Sequence, residues 1–421
     1  MIKFPPQLRV TLKSTELESR ELCGIAPVAG RMALALEWSQ AALSEGDDAG
    51  ANLLVRQAPL TAGVHRVGLP AFDGLPGFLA DSLPDAWGRL LVDRSLRARG
   101  EDPLRLRGFD RLALQGDRGP GALAFAPPAD PGDSASQTTV SDLDELARQA
   151  SQLITGRPPL LLDELARLGG SAGGSGPKVW LTERADGTWQ EGTAPLQPGD
   201  VGWLVKFRAP QHDPPDIGAI EYAYATMARS AGLDVPQPRL VPGNKVHYFA
   251  SQRYDRQGSS RIHTLSVAGL LNIEPAAGLA FDYADLLKLT RHVTRDEAAV
   301  IEAYRHAAFN VLAHNRDDHL RQFAFLRLAG RWLRTPAYDL TYSDGPGGEH
   351  SILVAGEGRS PSRETLARLA VLGGIPPRVA VRVIEQVCAA VGEWRTHAAA
   401  AGVGPRSQAR ISQAIRERLA A

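Results

Sequence analysis

Two short polar stretches hold residue types at spacings suited to phosphoryl transfer: His314-Asn315-Arg316-Asp317-Asp318-His319-Leu320-Arg321-Gln322-Phe323 and Thr335-Pro336-Ala337-Tyr338-Asp339. Moving a phosphoryl group from a nucleotide to a hydroxyl calls for a carboxylate to orient the hydroxyl and an amide oxygen five residues on for Mg²⁺. It also calls for a second carboxylate, beyond a short hairpin, for the same metal. Asp317, Gln322 and Asp339 fall at these spacings, with glutamine where asparagine is usual. The competing chemistry is a structural metal site built from His314, Asp317, Asp318 and His319. No cysteine pair or recognised zinc spacing accompanies those four.

The elements around these stretches would place them in a loop on a packed scaffold. Ala303, Ala307, Asn310 and Val311 recur at helical spacing just before the first stretch, and Phe323 and Phe325 alternate as a short strand after it. Helical patterns also cover 283–290, 297–312, 362–372, 379–396 and 407–419, with a core-facing stripe at Val379, Val383, Val387, Val391 and Trp394. Upstream, Gly202 to Phe207 reads as a strand carrying Lys206 between apolar neighbours. A lysine buried in a strand needs an anion, either a phosphate or a carboxylate such as Glu221 at the head of the next helix. At an exposed edge it would need none. The strand from Val246 to Ser251 is closed by Gln252-Arg253-Tyr254-Asp255-Arg256.

Between Leu168 and Lys178 lies a glycine-rich run containing Ser171, Gly173, Gly174 and Ser175, followed by the strand-like Val179-Trp180-Leu181. Glycines let backbone N–H groups curl around phosphate oxygens, and Lys178 adds charge beside them. The run is not a Walker A loop, because Val179 follows the lysine and no helical pattern comes next. A flexible turn is the alternative.

Residues 1–130 read as one α+β unit, with strand-like segments at Leu8–Leu12, Met32–Trp38 and Leu53–Val55. In Asp81-Ser82-Leu83-Pro84-Asp85-Ala86-Trp87-Gly88, Ser82 or Asp85 would cap a helix from Ala86 to Leu96, and Trp87 reads as packing. The Pro- and Ser-rich stretch from Ala126 to Gln137 reads as a surface linker, with a helix beginning near Ser141.

With 421 residues, 43% hydrophobic and 22% charged, the chain is expected to form two or three globular domains. A formal net charge of +0 argues against a global attraction to nucleic acid or anionic membrane. Two widely separated cysteines make no disulfide framework, and neither a signal peptide nor an apolar run of about 18 residues is present. A cytoplasmic protein with no membrane association is expected.

In this order the segments resemble the HipA family of bacterial toxin kinases over nearly the whole chain. The resemblance rests on Asp81 to Gly88, Gly116-Asp117-Arg118-Gly119-Pro120-Gly121-Ala122-Leu123, the glycine-rich run, Arg253-Tyr254-Asp255-Arg256, Asn315 to His319 and Pro336 to Asp339. It implies an α+β, two-lobed protein-kinase-like fold. Residues 1–130 would form the N-terminal subdomain, 131–255 a β-rich small lobe, and 256–421 a helical large lobe.

By the same resemblance the chain would be a serine/threonine kinase using ATP and Mg²⁺. Asp317 would be the catalytic aspartate, and Asp339 with Gln322 the metal ligands. Lys206 would contact phosphate, the backbones of Gln252 and Tyr254 would hold adenine, and Asp255 and His319 would touch the nucleotide, assisted by Gly173, Gly174 and Lys178. Ser171, seven residues before Lys178, would be the autophosphorylated serine, with Ser175 second.

The implied partners are a HipB-like helix-turn-helix antitoxin, through which DNA is reached indirectly, and a protein substrate such as an aminoacyl-tRNA synthetase. The alternatives are a small-metabolite kinase and a non-catalytic regulator that binds nucleotide and antitoxin.

Overall fold

The computed structural model describes residues 2–14, 19–29, 33–45, 58–67, 71–84, 86–129, 139–140, 142–157, 160–170, 176–274 and 281–421. Met32, Leu53–Val55, Asp85 and Ser141 lie outside the described residues, as do Ser171, Gly173, Gly174 and Ser175 of the glycine-rich run. The chain forms two compact units, each drawn from separate stretches of sequence. The first comprises 1–209, 252–274 and 325–331; the second comprises 210–251, 275–324 and 332–421.

In the first unit, alternation of apolar residues places one face of each strand in a core. Leu8 and Val10 of Leu8–Lys13 are fully buried, opposite Ile25 on one side and Phe125 on the other. The resulting five-stranded antiparallel sheet runs Val64–Val67, Leu34–Trp38, Ser19–Pro27, Leu8–Lys13, Leu123–Ala126. Helix Ala86–Ala98 buries Trp87, Leu91 and Leu96. A second antiparallel set pairs Thr139–Val140 with Trp189–Glu191, Trp189–Glu191 with Lys178–Glu183, and Lys178–Glu183 with Val201–Lys206. Helix Leu143–Ile154 begins where Asp142 accepts the Glu145 N–H at 3.0 Å, and it buries Leu146, Ala150 and Leu153.

The second unit is mainly helical. Asp282 and Asp296 cap the consecutive helices Tyr283–Thr294 and Glu297–Leu312 by accepting the N–H of Ala284 and Ala298. Ala303, Ala307, Asn310 and Val311 face inward, as their spacing predicts. Tyr224 of helix Ile217–Ser230 packs against Phe309 and Trp394, with ring centroids 6.4 and 5.3 Å away. The helix expected to run to Thr396 ends at Gly392, and a new one, Trp394–Ala401, follows after Glu393. Helices Arg363–Leu372 and Pro405–Ala420 complete the set. Between Thr335 and Ser362 the chain is irregular apart from the short turn Pro346–Gly348 and isolated bridges.

Within this core the His306 ring packs on Phe323 at 5.1 Å and faces an Arg334 guanidinium nitrogen 3.3 Å from Nδ1. Burial and the Arg334 charge push its pKa down to about 3. A histidine kept neutral in the native state contributes stability above its unfolded pKa of about 6.5 that is lost as pH falls toward the native value. The melting temperature is therefore expected to fall between pH 6.5 and 4. His306→Gln, which accepts the same hydrogen bond without titrating, should flatten that slope; an unaltered slope would remove His306 as a contributor.

Candidate active site

In the second unit the helix Glu297–Leu312 delivers the first polar stretch. The Tyr224 hydroxyl donates to the Ala313 carbonyl at 2.7 Å, and His314 then turns the chain with a φ of 57°. Asn315 donates to Asn310 through both its backbone N–H (2.8 Å to the carbonyl) and its side chain (3.0 Å to Oδ1). The chain then crosses Ser343: Arg316 N–H donates to its carbonyl at 3.2 Å, and its own N–H donates to the His314 carbonyl at 3.1 Å. Of the next three residues Asp318 is wholly buried, whereas the side chains of Asp317 and His319 are 50% and 30% exposed.

His319 starts the short turn Leu320–Gln322, its Nδ1 accepting the Arg321 N–H at 3.3 Å. This leaves the ring proton on Nε2, which lies 3.9 Å from Asp317 Oδ1. Gln322 Nε2 donates to Asp339 Oδ2 at 2.8 Å. The second stretch is held for this meeting by Thr335 N–H on the Ala324 carbonyl (3.0 Å), Ala337 N–H on the Asp234 carbonyl (2.8 Å) and the Tyr338 hydroxyl on the Arg321 carbonyl. Asp339 itself sits at a φ of 57°.

The structure thus joins Gln322 to Asp339 and sets Asp317 beside His319. An amide and a carboxylate within hydrogen-bond distance fit what Mg²⁺ takes from a protein, oxygen ligands with one or two carboxylates, the rest coming from phosphates and water. The alternative four-residue metal site is not formed. His314 Nε2 lies 3.2 Å from Asp344 Oδ1, while Asp318 is bonded to Tyr283, His350 and Ser351. Among the described residues no cluster of three or more histidine, cysteine, aspartate and glutamate side chains could hold a metal ion.

In the first unit, Lys178 and Lys206 are direct cross-strand partners. Directly opposed residues share one face of a sheet, so both lysine side chains leave the ladder on the same side. Lys178 is 4% exposed, and the Trp87 indole N–H donates to its carbonyl at 2.8 Å, so Trp87 anchors the strand that follows the glycine-rich run. Gln252 ends the strand His247–Gln252 and Tyr254 lies in the turn beyond it.

Asp255 occupies a place its sequence context did not foretell. Arg253 donates to it through Nε and Nη2 at 2.8 and 2.7 Å, Arg256 at 2.7 Å, and the Gly121 N–H at 2.8 Å. Arg256 and Arg261 also donate to the carbonyls of Gly119 and Gly121, so the Gly116 to Leu123 stretch wraps this charged core. Burial pushes the Asp255 carboxyl up, but the Arg253 and Arg256 charges outweigh it and hold the group well below the usual carboxylate range. Both carboxylate oxygens are committed to this ion cluster. Sequence reasoning missed the parts played by Arg261, Tyr283 and His350, each of which looks ordinary along the chain.

The architecture is an α+β fold, with an amide and carboxylate pair beside the loop that bears a half-exposed aspartate. The HipA-like C-terminal domain family matches residues 170–395, more than half of the chain, and the HipA N-terminal domain family matches residues 24–126. The chain belongs to the HipA family.

Among solved structures it is similar to HipA of Shewanella oneidensis MR-1, determined with HipB and operator DNA. The superposition covers 98% of this chain and 95% of that one, at a TM-score of 0.65 and 16% identity, a likeness of fold. A curated relative, the candidate kinase Y4dM of Sinorhizobium fredii, is 26% identical over 161 residues, a match spanning 35% of this chain and 39% of that protein. Among the described residues no helix is long and apolar enough to cross a membrane.

Proposed function

We propose that the chain transfers the terminal phosphoryl group of Mg²⁺-ATP to a serine or threonine hydroxyl of a protein, as the toxin of a HipBA-like pair. The observation that carries this reading is the 2.8 Å contact of Gln322 with Asp339, close in sequence to the half-exposed Asp317. Asp317 orients the acceptor hydroxyl and takes its proton as the oxygen bonds to phosphorus and the ADP oxygen leaves. Asp339 and the Gln322 amide oxygen hold the metal. Bound Mg²⁺ supplies charge neutralisation on the phosphate oxygens. Lys206 and Lys178 offset the remaining phosphate charge, His319 contacts the nucleotide, and the backbones of Gln252 and Tyr254 hold adenine.

Ser171, and next Ser175, is the site of autophosphorylation. A phosphate there adds nearly two negative charges to the glycine-rich run and disables the enzyme. A HipB-like helix-turn-helix protein is the partner, supported by the presence of HipB and operator DNA in the Shewanella complex. DNA is reached through that partner, and a translation component such as an aminoacyl-tRNA synthetase is the target.

Gln322 sets the expected strength of the activity. Its extra methylene displaces the amide relative to asparagine by more than about an ångström, an error that lowers rates about a hundredfold. The purified chain incubated with ATP and Mg²⁺ is expected to gain phosphate slowly on Ser171 or Ser175, read by intact mass and peptide mapping, and Gln322→Asn to gain it faster. If neither protein incorporates phosphate or turns over ATP, the kinase reading fails and a non-catalytic, nucleotide-binding regulator replaces it.

A further inference from the structure

The residues on either side of Asp317 reach a distant segment. Asp318 Oδ2 accepts from the Tyr283 hydroxyl and from His350 Nδ1, both at 2.8 Å, and its Oδ1 accepts the Ser351 N–H at 2.8 Å. The Asn310 amide donates to the Tyr283 hydroxyl at 2.9 Å, tying this carboxylate to helix Glu297–Leu312. Arg316, 8% exposed, donates to the carbonyls of Gly348 at 2.6 Å and Arg359 at 2.9 Å. The Ser351 hydroxyl returns the contact by donating to the Arg316 carbonyl at 3.0 Å. Gly345 makes the turn possible: its φ is 71°, and a Cβ there would overlap the Glu349 carbonyl and the Arg316 Cβ.

Kinases commonly order the segment after the metal-binding carboxylate by phosphorylating it, the new phosphate pairing with arginine. Here the arginine beside Asp317 is already bound to backbone carbonyls of that segment. Its neighbouring carboxylate is saturated by three donors, two of them from the segment. The Ser351 hydroxyl at this junction is itself engaged.

We propose that Arg316 and Asp318 fasten residues 343–359 to the loop bearing Asp317, so that the segment is in its working position without covalent modification, and that Asp318 is a positioning residue for phosphoryl transfer. This rests on the reading of Asp317 as the group that meets the acceptor hydroxyl. Losing the Asp318 charge would leave Tyr283, His350 and the Ser351 N–H competing for one acceptor. The loop would shift by a fraction of an ångström to an ångström, enough to lower turnover about a hundredfold.

The test uses the full chain made in a kinase-free translation system, with mass confirming residues 343–359 unmodified. Three variants are compared with it: Asp318→Asn, His350→Ala and His350→Asn, the last placing an amide N–H where Nδ1 stands. Expected for Asp318→Asn are transfer from ATP slowed about a hundredfold, a Kd for Mg²⁺-ATP within about threefold of the parent, and faster hydrogen exchange confined to 343–359. His350→Ala should act in the same direction, and His350→Asn should recover most of the loss.

The proposal is overturned if Asp318→Asn keeps more than about a third of the rate. It also fails if exchange in 343–359 is unmoved, if exchange rises equally in helix Glu297–Leu312, or if the parent works only after phosphate is added to 343–359. A parent that binds Mg²⁺-ATP but transfers nothing counts against the kinase reading, while the exchange measurements still decide whether Asp318 holds the segment.

Discussion

Asp317→Asn is expected to lower phosphoryl transfer about 10³-fold while changing Mg²⁺-ATP affinity less than about threefold. Asparagine keeps the size of the side chain but cannot take the hydroxyl proton, and it is a weaker acceptor for orienting it. The substitution leaves the surroundings intact, because the Asp317 side chain is half exposed and the buried anchors are its neighbours Arg316 and Asp318. The metal candidates Gln322 and Asp339 are bonded to each other. Single-turnover transfer from labelled ATP, with calorimetry for nucleotide binding, separates the two quantities. Unchanged transfer would remove Asp317 as the base; loss of nucleotide binding in proportion would make it a ligand-holding residue instead.

Asp255→Ala is the largest stability effect to expect in the first unit. The carboxylate is the acceptor shared by Arg253 and Arg256, which are 1% and 9% exposed in that pair of bridges. Removing one partner of a buried ionic cluster costs about 3–5 kcal/mol, because guanidinium charge stays buried without its counter-ion. For a unit of this size that lowers the melting temperature by roughly 10 °C.

The acid response has a defined sign. With its native pKa held below the unfolded value, Asp255 contributes stability that is present above about pH 4 and lost as pH falls through the native pKa. Thermal melts of the parent and the variant from pH 7 downward should therefore converge in acid. Melting temperatures that coincide at pH 7 would show that the arginines are satisfied by carbonyls alone.

How much of this was legible along the chain depends on the range of the interactions involved. Helices near the predicted positions, the inward Ala303, Ala307, Asn310 and Val311, and the strand carrying Lys206 follow from periodicity, a local property. Even there, the break at Glu393 escaped notice, since an apolar stripe continues smoothly from Val391 to Trp394. The order of motifs was enough to identify the family, because each motif is a short backbone device with its residues in sequence.

Only the folded chain decided which polar groups face which. Asp317 and Asp318 are chemically identical neighbours, yet one is half exposed and the other is sealed beneath Tyr283, His350 and Ser351. The Asp255 carboxylate meets Arg253, Arg256 and the Gly121 N–H only in the folded chain. The type and spacing of side chains are fixed by covalent order. Their burial and their partners come from contacts between residues tens to hundreds of positions apart, which a one-dimensional pattern does not encode.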